Sequence, residues 1–298
     1  MNEHTTFLSR RLVYGSIGVA LVLMVLGSFV DYPLSCALYN ETNPFAMLFA
    51  AYGEIPATLG WVLAGSLFVC GHNRNNKILG AVQSVGGICL ILLGTMMVCF
   101  MPTLYLPVSS SVLVVVGLVL STSTIAIACH MVREADRAAV IRVGLVIFLV
   151  ILCELLVVNF IKVPWGRPRM RLVANNPEAY FLPWWQFGST LKNQLTAVGV
   201  AAEEFKSFPS GHTANAATML LLGLIPYLMP QLHRCENAFV AFGFVWTAVV
   251  AFTRIVMGAH YLTDTVVGFL VGFLSVCLIY KAVFRLHNRE KGERKPLK

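Results

Sequence analysis

Three short clusters of polar residues stand out from a chain whose composition is strongly apolar. The first runs from Lys162 to Arg169, the second is a Pro-Ser-Gly-His sequence that ends at His212, and the third runs from Thr253 to Asp264. Among their members are three cations, two imidazoles, a carboxylate and a serine-glycine pair that precedes an apolar run. We interpret this combination as an anion-binding site that also carries acid and base groups.

The serine-glycine pair and the cations have separate roles in binding an anion. Ser210 is a favourable helix N-cap, and Gly211 allows the backbone to approach a ligand closely. The N–H groups that open a helix bind anions, aided by the positive end of the helix dipole. Three side chains add charge-assisted hydrogen bonds to phosphate oxygens, and these are Lys162, Arg169 and Arg254.

The two histidines and the carboxylate supply the reactive groups. His260 and Asp264 are four residues apart on the predicted last helix, so they share one face. The carboxylate can hold one imidazole nitrogen and leave the other free as a nucleophile. His212 is then available to protonate a leaving oxygen.

Each signal taken alone has a simpler structural interpretation. A capped helix start explains the serine and glycine, a snorkelling side chain explains Lys162, and topology explains the arginines. A buried polar pair that joins two helices explains His260 and Asp264. The occurrence of all three clusters on one predicted side of the membrane favours the functional interpretation. Arg167, inside the first cluster, and Arg171, just after it, are assigned equally to phosphate or headgroup contact, and Glu154 is assigned a structural role.

The composition places the chain in a membrane. Only 12% of its 298 residues are charged, whereas a soluble domain carries about 25%. The mean hydropathy is +0.75. Long apolar runs without alternation predict helices rather than a barrel. The net charge of +8 does not indicate a nucleic-acid partner, because the basic residues lie mainly in short connections and at both ends.

Eight apolar runs are long enough, or nearly long enough, to cross a bilayer as helices. They lie near 12–30, 55–70, 78–101, 106–129, 140–161, 213–228, 238–252 and 262–284. With eight spans, the basic short connections and both termini lie on the same side, which is the cytoplasm by the positive-inside rule. The three polar clusters then lie on the opposite, outer side. We predict an all-α polytopic bundle that forms one membrane domain over residues 1–298.

The clusters resemble the signature of the phosphatidic acid phosphatase type 2 superfamily. That pattern is K-x6-RP, then PSGH, then SR-x5-H-x3-D. The chain matches its order and its spacings at Lys162 and Arg169, at 209–212, and at Arg254, His260 and Asp264. Met170 replaces the proline of the first motif, and Thr253 replaces the serine of the third. Neither replacement removes a charge or a proton carrier.

The resemblance implies a six-helix phosphatase-like core, at about 140–284, preceded by extra helices at about 12–130. It also implies a metal-independent, two-step phosphoryl transfer that uses no cofactor. His260 attacks phosphorus to form a phosphohistidine, and His212 protonates the departing lipid oxygen and later activates water. Asp264 completes the catalytic set. The phosphate-binding residues are Lys162, Arg169, Arg254, Ser210 and Gly211.

The substrate is expected to be an isoprenoid or glycerolipid phosphate, and membrane lipids are the other expected partners. Undecaprenyl pyrophosphate, phosphatidic acid and phosphatidylglycerol phosphate are the first candidates in a bacterial inner membrane, which the short connections favour. The alternative function is a lipid phosphotransferase that uses the same site. A transporter predicts polar residues throughout the bilayer depth, which the spans lack. A haloperoxidase is opposed by the apolar composition, and a lipid-binding pseudoenzyme stays open.

Overall fold

A computed structural model describes residues 8–293, without the side chains of residues 134 and 285–293. The regular secondary structure of these residues is entirely helical. The α-helices are α1 (Arg10–Leu38), α2 (Pro44–Tyr52), α3 (Ile55–Gly71), α4 (Lys77–Phe100), α5 (Ser110–Glu134), α6 (Arg137–Trp165), α7 (Met170–Asn175), α8 (Ser189–Ala197), α9 (Gly211–Ala217), α10 (Ile225–Leu228), α11 (Glu236–Val256) and α12 (Leu262–Glu293). Four short 3-10 helices join them, at Met101–Leu104, Ala202–Phe205, Thr218–Leu224 and Pro230–Cys235.

Seven helical segments in the described residues are long and apolar enough to span a membrane. They are Arg10–Leu38, Pro44–Gly71, Lys77–Leu104, Ser110–Arg133, Arg137–Asn175, Pro230–Val256 and Leu262–Phe284. This architecture confirms the predicted class of fold, an all-α polytopic bundle.

The helix starts follow local sequence signals. Ser9, Asn43, Asn76 and Asp136 each accept a hydrogen bond from a backbone N–H in the first turn of the helix that follows. These side chains satisfy N–H groups that have no partner inside the helix. Helix boundaries at these four positions are therefore decided locally.

The segment 211–228 differs from the regular helix that was predicted for the sixth of the eight spans, at 213–228. It is helical throughout, but α9, a 3-10 helix and α10 share its length. A 3-10 helix rises about 2.0 Å per residue against 1.5 Å for an α-helix, so 18 residues of this mixture reach about 30 Å. At its far end the Tyr227 hydroxyl accepts from Arg142 Nη1 at 2.5 Å. The segment therefore crosses the bundle despite its irregular form.

Small residues on α12 let α9 approach it closely. An added Cβ at Gly268 would lie 2.3 Å from the Ser210 carbonyl oxygen, and one at Gly272 would lie 2.5 Å from that of Ala214. Such contacts between helix backbones are typical of small residues in membrane proteins. The start of α9 is thereby held against the first two turns of α12.

The helices that precede α6 pack onto the rest of the bundle. Helix α1 contacts α12, helix α2 contacts α11, and helix α3 contacts α6 and α9. The turn between α2 and α3 lies at the same end of the bundle as the start of α9 and the start of α12. The N-terminal helices therefore bring side chains to the three polar clusters.

Candidate active site

The start of α9 forms a backbone cradle beside a lysine. Ser210 caps the helix by accepting from Thr213 N at 3.3 Å, and its own N–H donates to the Asp264 carbonyl oxygen at 2.9 Å. An added Cβ at Gly211 would lie 3.3 Å from Lys162 Nζ. The first and second sequence clusters therefore meet, with an ammonium group next to the Ser210-Gly211 turn.

The His260 ring is oriented by a backbone carbonyl. Its Nδ1 lies 2.5 Å from the Ser207 carbonyl oxygen, and His260 is 1% exposed. Because a carbonyl oxygen can only accept, Nδ1 must carry the ring proton, which leaves a lone pair on Nε2. The ring nitrogen that keeps a free lone pair is therefore Nε2.

Asp264 acts on His260 through its surroundings and not through the expected direct hydrogen bond. Its Oδ2 is 3.9 Å from His260 Nδ1, while it accepts from Ser207 Oγ at 2.5 Å and from Tyr261 N at 2.8 Å. Helix α12 begins at Leu262, so His260 precedes the helix and the expected shared helical face is absent. The carboxylate instead fixes the two segments that hold the imidazole.

A buried ion network stands behind Asp264. Arg167 is fully buried and donates to Asp264 Oδ1 at 2.5 Å and to Asp31 Oδ2 at 2.9 Å. Asp31, on α1, also accepts from the N–H of Thr263 at 3.0 Å in the first turn of α12. The Arg167 guanidinium is therefore committed to two buried carboxylates. The sequence had suggested two other roles, contact with phosphate or contact with lipid headgroups.

The three predicted phosphate-binding cations surround His260. Burial lowers the pKa of the His260 imidazole well below its usual range. Positive charge nearby lowers this pKa further, and it comes from Lys162, Arg254 and Arg169. The neutral imidazole, which is the nucleophilic form, is thereby favoured at neutral pH.

Two of these cations have unused donors. The Nε atoms of Arg169 and Arg254 are buried and donate no hydrogen bond within the described part of the chain. Arg254 is 2% exposed, and its Nη1 has only the Met257 sulfur, at 3.7 Å. Buried guanidinium donors without an acceptor are suited to an anionic ligand.

His212 faces residues that the sequence clusters did not include. Its Nδ1 lies 3.1 Å from Glu54 Oε1, and its Nε2 lies 3.2 Å from the Ala50 carbonyl oxygen. Glu54 and Asp31 were visible in the sequence only as the two acidic ends of the connection between the first two spans. Glu54 contacts His212, and Asp31 contacts the start of α12. No sequence motif links either acidic residue to its distant partner.

Two further residues take structural positions. Arg171 binds Glu204 through two hydrogen bonds, of 2.9 Å and 2.5 Å, so its guanidinium is committed to a carboxylate. Glu154 is buried inside α6, and its Oε1 has no hydrogen-bond partner among the described residues. No group of three or more His, Cys, Asp or Glu side chains that could hold a metal ion occurs in the described residues.

The apolar helices define a class of protein, an integral membrane protein, and a cluster of buried cations and histidines lies at one end of its bundle. Residues 142–288 match the family model of the PAP2 superfamily, and the chain belongs to this superfamily. Membership implies phosphatase activity on phosphate esters, with a lipid phosphate as substrate. Comparisons with curated proteins and with solved structures found no match.

Proposed function

We propose that this protein removes phosphate from a lipid phosphate or pyrophosphate through a phosphohistidine intermediate on His260. The observation that carries the proposal is the hydrogen bond from His260 Nδ1 to the Ser207 carbonyl oxygen. It leaves the nucleophilic Nε2 free in a site that contains Lys162 and Arg169 of the first cluster and Arg254 of the third. A buried histidine with only a structural role would not need this accumulation of positive charge.

The reaction has two steps at the same phosphorus atom. In the first, His260 Nε2 bonds to phosphorus while the bond from phosphorus to the lipid oxygen breaks, and His212 gives its proton to that oxygen. In the second, His212 takes a proton from water, whose oxygen bonds to phosphorus as the phosphohistidine bond breaks. Inorganic phosphate leaves in the second step; if the substrate is a pyrophosphate, the bond broken in the first step is the one to the bridging oxygen, and the departing group is the lipid monophosphate.

The cations stabilise the charge that develops on the phosphoryl oxygens. Lys162 and the backbone N–H of Gly211, which Ser210 positions as the helix N-cap, contact the group together with the unused guanidinium donors of Arg169 and Arg254. These donors are already in place and buried, so they need no reorganisation during the reaction. Positioning and electrostatic stabilisation supply most of the catalysis in phosphoryl transfer.

The site is proposed to lie on the outer face of the membrane. The predicted cytoplasmic connections carry the basic residues, for example Arg74 and Lys77 between α3 and α4, and Arg142 near the start of α6. These connections lie at the end of the bundle opposite to the start of α9. The positive-inside rule places that opposite end in the cytoplasm.

An apolar cavity beside the site supports a substrate with a long tail. The cavity has a volume of about 750 Å³ and lies between α1, α11 and α12. Its lining extends from Arg11 to Leu38 along α1 and includes Thr213 and Thr265 near the site. The length of α1 between these limits is about 40 Å, which exceeds the roughly 30 Å of the bilayer core. On α1 the lining residues fall within 11–23 and 34–38, and the apolar space between the three helices is suited to part of a lipid chain.

The direct test is turnover by the purified protein. We expect release of inorganic phosphate from phosphatidic acid, phosphatidylglycerol phosphate or undecaprenyl pyrophosphate, unchanged by EDTA and blocked by vanadate. Transfer of labelled phosphate to a second lipid in place of release would establish a phosphotransferase instead. Strict dependence on a divalent cation would contradict the proposed mechanism.

Filling the cavity is expected to discriminate between long and short substrates. Ala248 lines the cavity on α11, and Ala248→Phe places a ring where the tail is proposed to lie. We expect kcat/KM to fall about 10-fold for a long-chain lipid phosphate, the scale of one or two lost methylene contacts, with little change for a dihexanoyl substrate.

The matched control is Ala241→Phe. Ala241 is exposed on the same helix and does not line the cavity, so both substrates should keep their kcat/KM. An equal fall for the two substrates in Ala248→Phe would show that the cavity does not bind the tail.

A further inference from the structure

Glu54 is an acidic residue at the bundle end that carries the site, outside the region matched by the family model. It occupies the N-cap position of α3 but makes no side-chain hydrogen bond to that helix. A carboxylate at an N-cap usually accepts from the N–H groups of its own helix. The Glu54 side chain is instead directed across the bundle, toward α9.

The carboxylate is held against His212 by two contacts. Glu54 Oε1 lies 3.1 Å from His212 Nδ1 and accepts from Asn215 Nδ2 at 3.0 Å. Asn215 follows His212 by three residues in α9, so the two side chains share one face of the helix. The Glu54 and His212 side chains are only 12% and 13% exposed. The pair is therefore an oriented, largely dehydrated contact.

The other ring nitrogen of His212 also faces an acceptor. Its Nε2 lies 3.2 Å from the Ala50 carbonyl oxygen, and Ala50 belongs to α2, one turn before Glu54. A neutral imidazole has one N–H, whereas an imidazolium donates from both nitrogens. Two acceptors therefore match the protonated form, which is the form that a general acid needs.

The cations of the phosphate site work against this protonated form. Burial lowers the pKa of His212 well below its usual range, and positive charge from Arg254, Lys162 and Arg169 lowers it further. A neighbouring carboxylate offsets such repulsion. Among the described residues whose side chains contact the ring, Glu54 is the one with a carboxyl group.

We propose that Glu54 is a positioning residue that keeps His212 protonated and oriented as the general acid. The inference rests on the proposed function. When the bond from phosphorus to the lipid oxygen breaks, the Nε2 proton moves from the Ala50 carbonyl oxygen to the lipid oxygen, and the neutral ring keeps its Nδ1 proton, which it donates to Glu54. The turn between α2 and α3 thus completes the acid half of a site whose nucleophile lies in the family region.

The test compares substrates that need a general acid with substrates that do not. The leaving group of an alkyl phosphate is a strongly basic alkoxide, which needs protonation as it departs. The leaving group of 4-nitrophenyl phosphate is a stable phenolate, which does not. The parameter is kcat/KM, because it covers the steps up to departure of the leaving group. In Glu54→Gln we expect a fall of about 100-fold for the alkyl phosphate, the lower end of general acid catalysis, and less than about 5-fold for the aryl phosphate.

Two further variants make the result specific. His212→Asn should show the same dependence on the leaving group, and its combination with Glu54→Gln should cause no additional selective loss. Glu178→Gln changes an exposed glutamate at the same end of the bundle and should leave both substrates unaffected. If Glu54→Gln cannot be purified, Asn215→Ala removes the second contact on the carboxylate and should produce the same selectivity at smaller amplitude.

The outcomes separate this inference from the proposed function. Equal losses on both substrates, or no loss, in Glu54→Gln would overturn the role of Glu54 while leaving the phosphohistidine mechanism intact. Full turnover in His260→Asn would overturn the mechanism itself, whatever Glu54→Gln shows.

Discussion

We expect His260→Asn to reduce kcat for lipid phosphate hydrolysis by about 10⁵-fold or more, the scale of losing a covalent nucleophile. The asparagine amide can still donate to the Ser207 carbonyl oxygen, which His260 Nδ1 contacts at 2.5 Å. The substitution therefore removes the attacking Nε2 without leaving a buried carbonyl unpaired. Phosphate release measured with a purified, monodisperse variant should fall by that factor relative to the wild-type protein.

The intermediate provides an independent measurement of the same prediction. Rapid quenching of the wild-type protein with a ³²P-labelled lipid phosphate should trap an acid-labile, base-stable label on the chain, and His260→Asn should carry none. His233→Asn is the matched control, because His233 is exposed near the start of α11, at the far end of that helix from the site. Label on the His260→Asn protein would assign the nucleophile to another residue.

The second large effect is expected on stability, from Arg167→Met. Arg167 is fully buried between Asp31 and Asp264, at 2.9 Å and 2.5 Å, and also donates to the Leu182 carbonyl oxygen at 2.8 Å. Methionine fills a similar volume but leaves two buried carboxylates without a counterion. Breaking such a buried pair costs about 3–5 kcal/mol, and we expect the free energy of unfolding to fall by that amount.

Denaturant unfolding or thermal melting in detergent measures this change. Arg133→Met is the control, since Arg133 is exposed at the end of α5 and such surface changes stay within about 0.5 kcal/mol. Adding Asp31→Asn to Arg167→Met should recover part of the loss, because one uncompensated charge is removed. An Arg167→Met protein that unfolds like the wild type would show that the network does not stabilise the fold.

The network also explains why α1 belongs to the functional unit. Asp31 binds Arg167 and the N–H of Thr263 at the start of α12, and Asp264 on the same turn holds the Ser207 segment that orients His260. An anion near the first turn of a helix is stabilised by the helix dipole. A helix that precedes the family region by about 100 residues thus supports His260, the proposed nucleophile.

Composition was enough to predict the class of fold. The charge deficit and the long apolar runs imply helices, because a backbone in lipid must satisfy its hydrogen bonds within itself. The residue types of the three motifs, their common predicted side of the membrane and their resemblance to a family signature led to the prediction that the motifs meet. In the structure Gly211 lies next to Lys162, and the three cations lie near His260. The helix caps at Ser9 and Asp136 are equally local.

Only the tertiary structure decided which groups hold the reactive side chains. The Ser207 carbonyl, and not Asp264, contacts His260 Nδ1, and Glu54 contacts His212 from 158 positions away in the chain. It also decided that residues 218–224 form a 3-10 helix. Periodicity reports which face of a helix is apolar, whereas these contacts depend on how separate helices pack. Residues so far apart in the chain leave no local sequence pattern, because the residues next to each one do not depend on the identity of its distant partner.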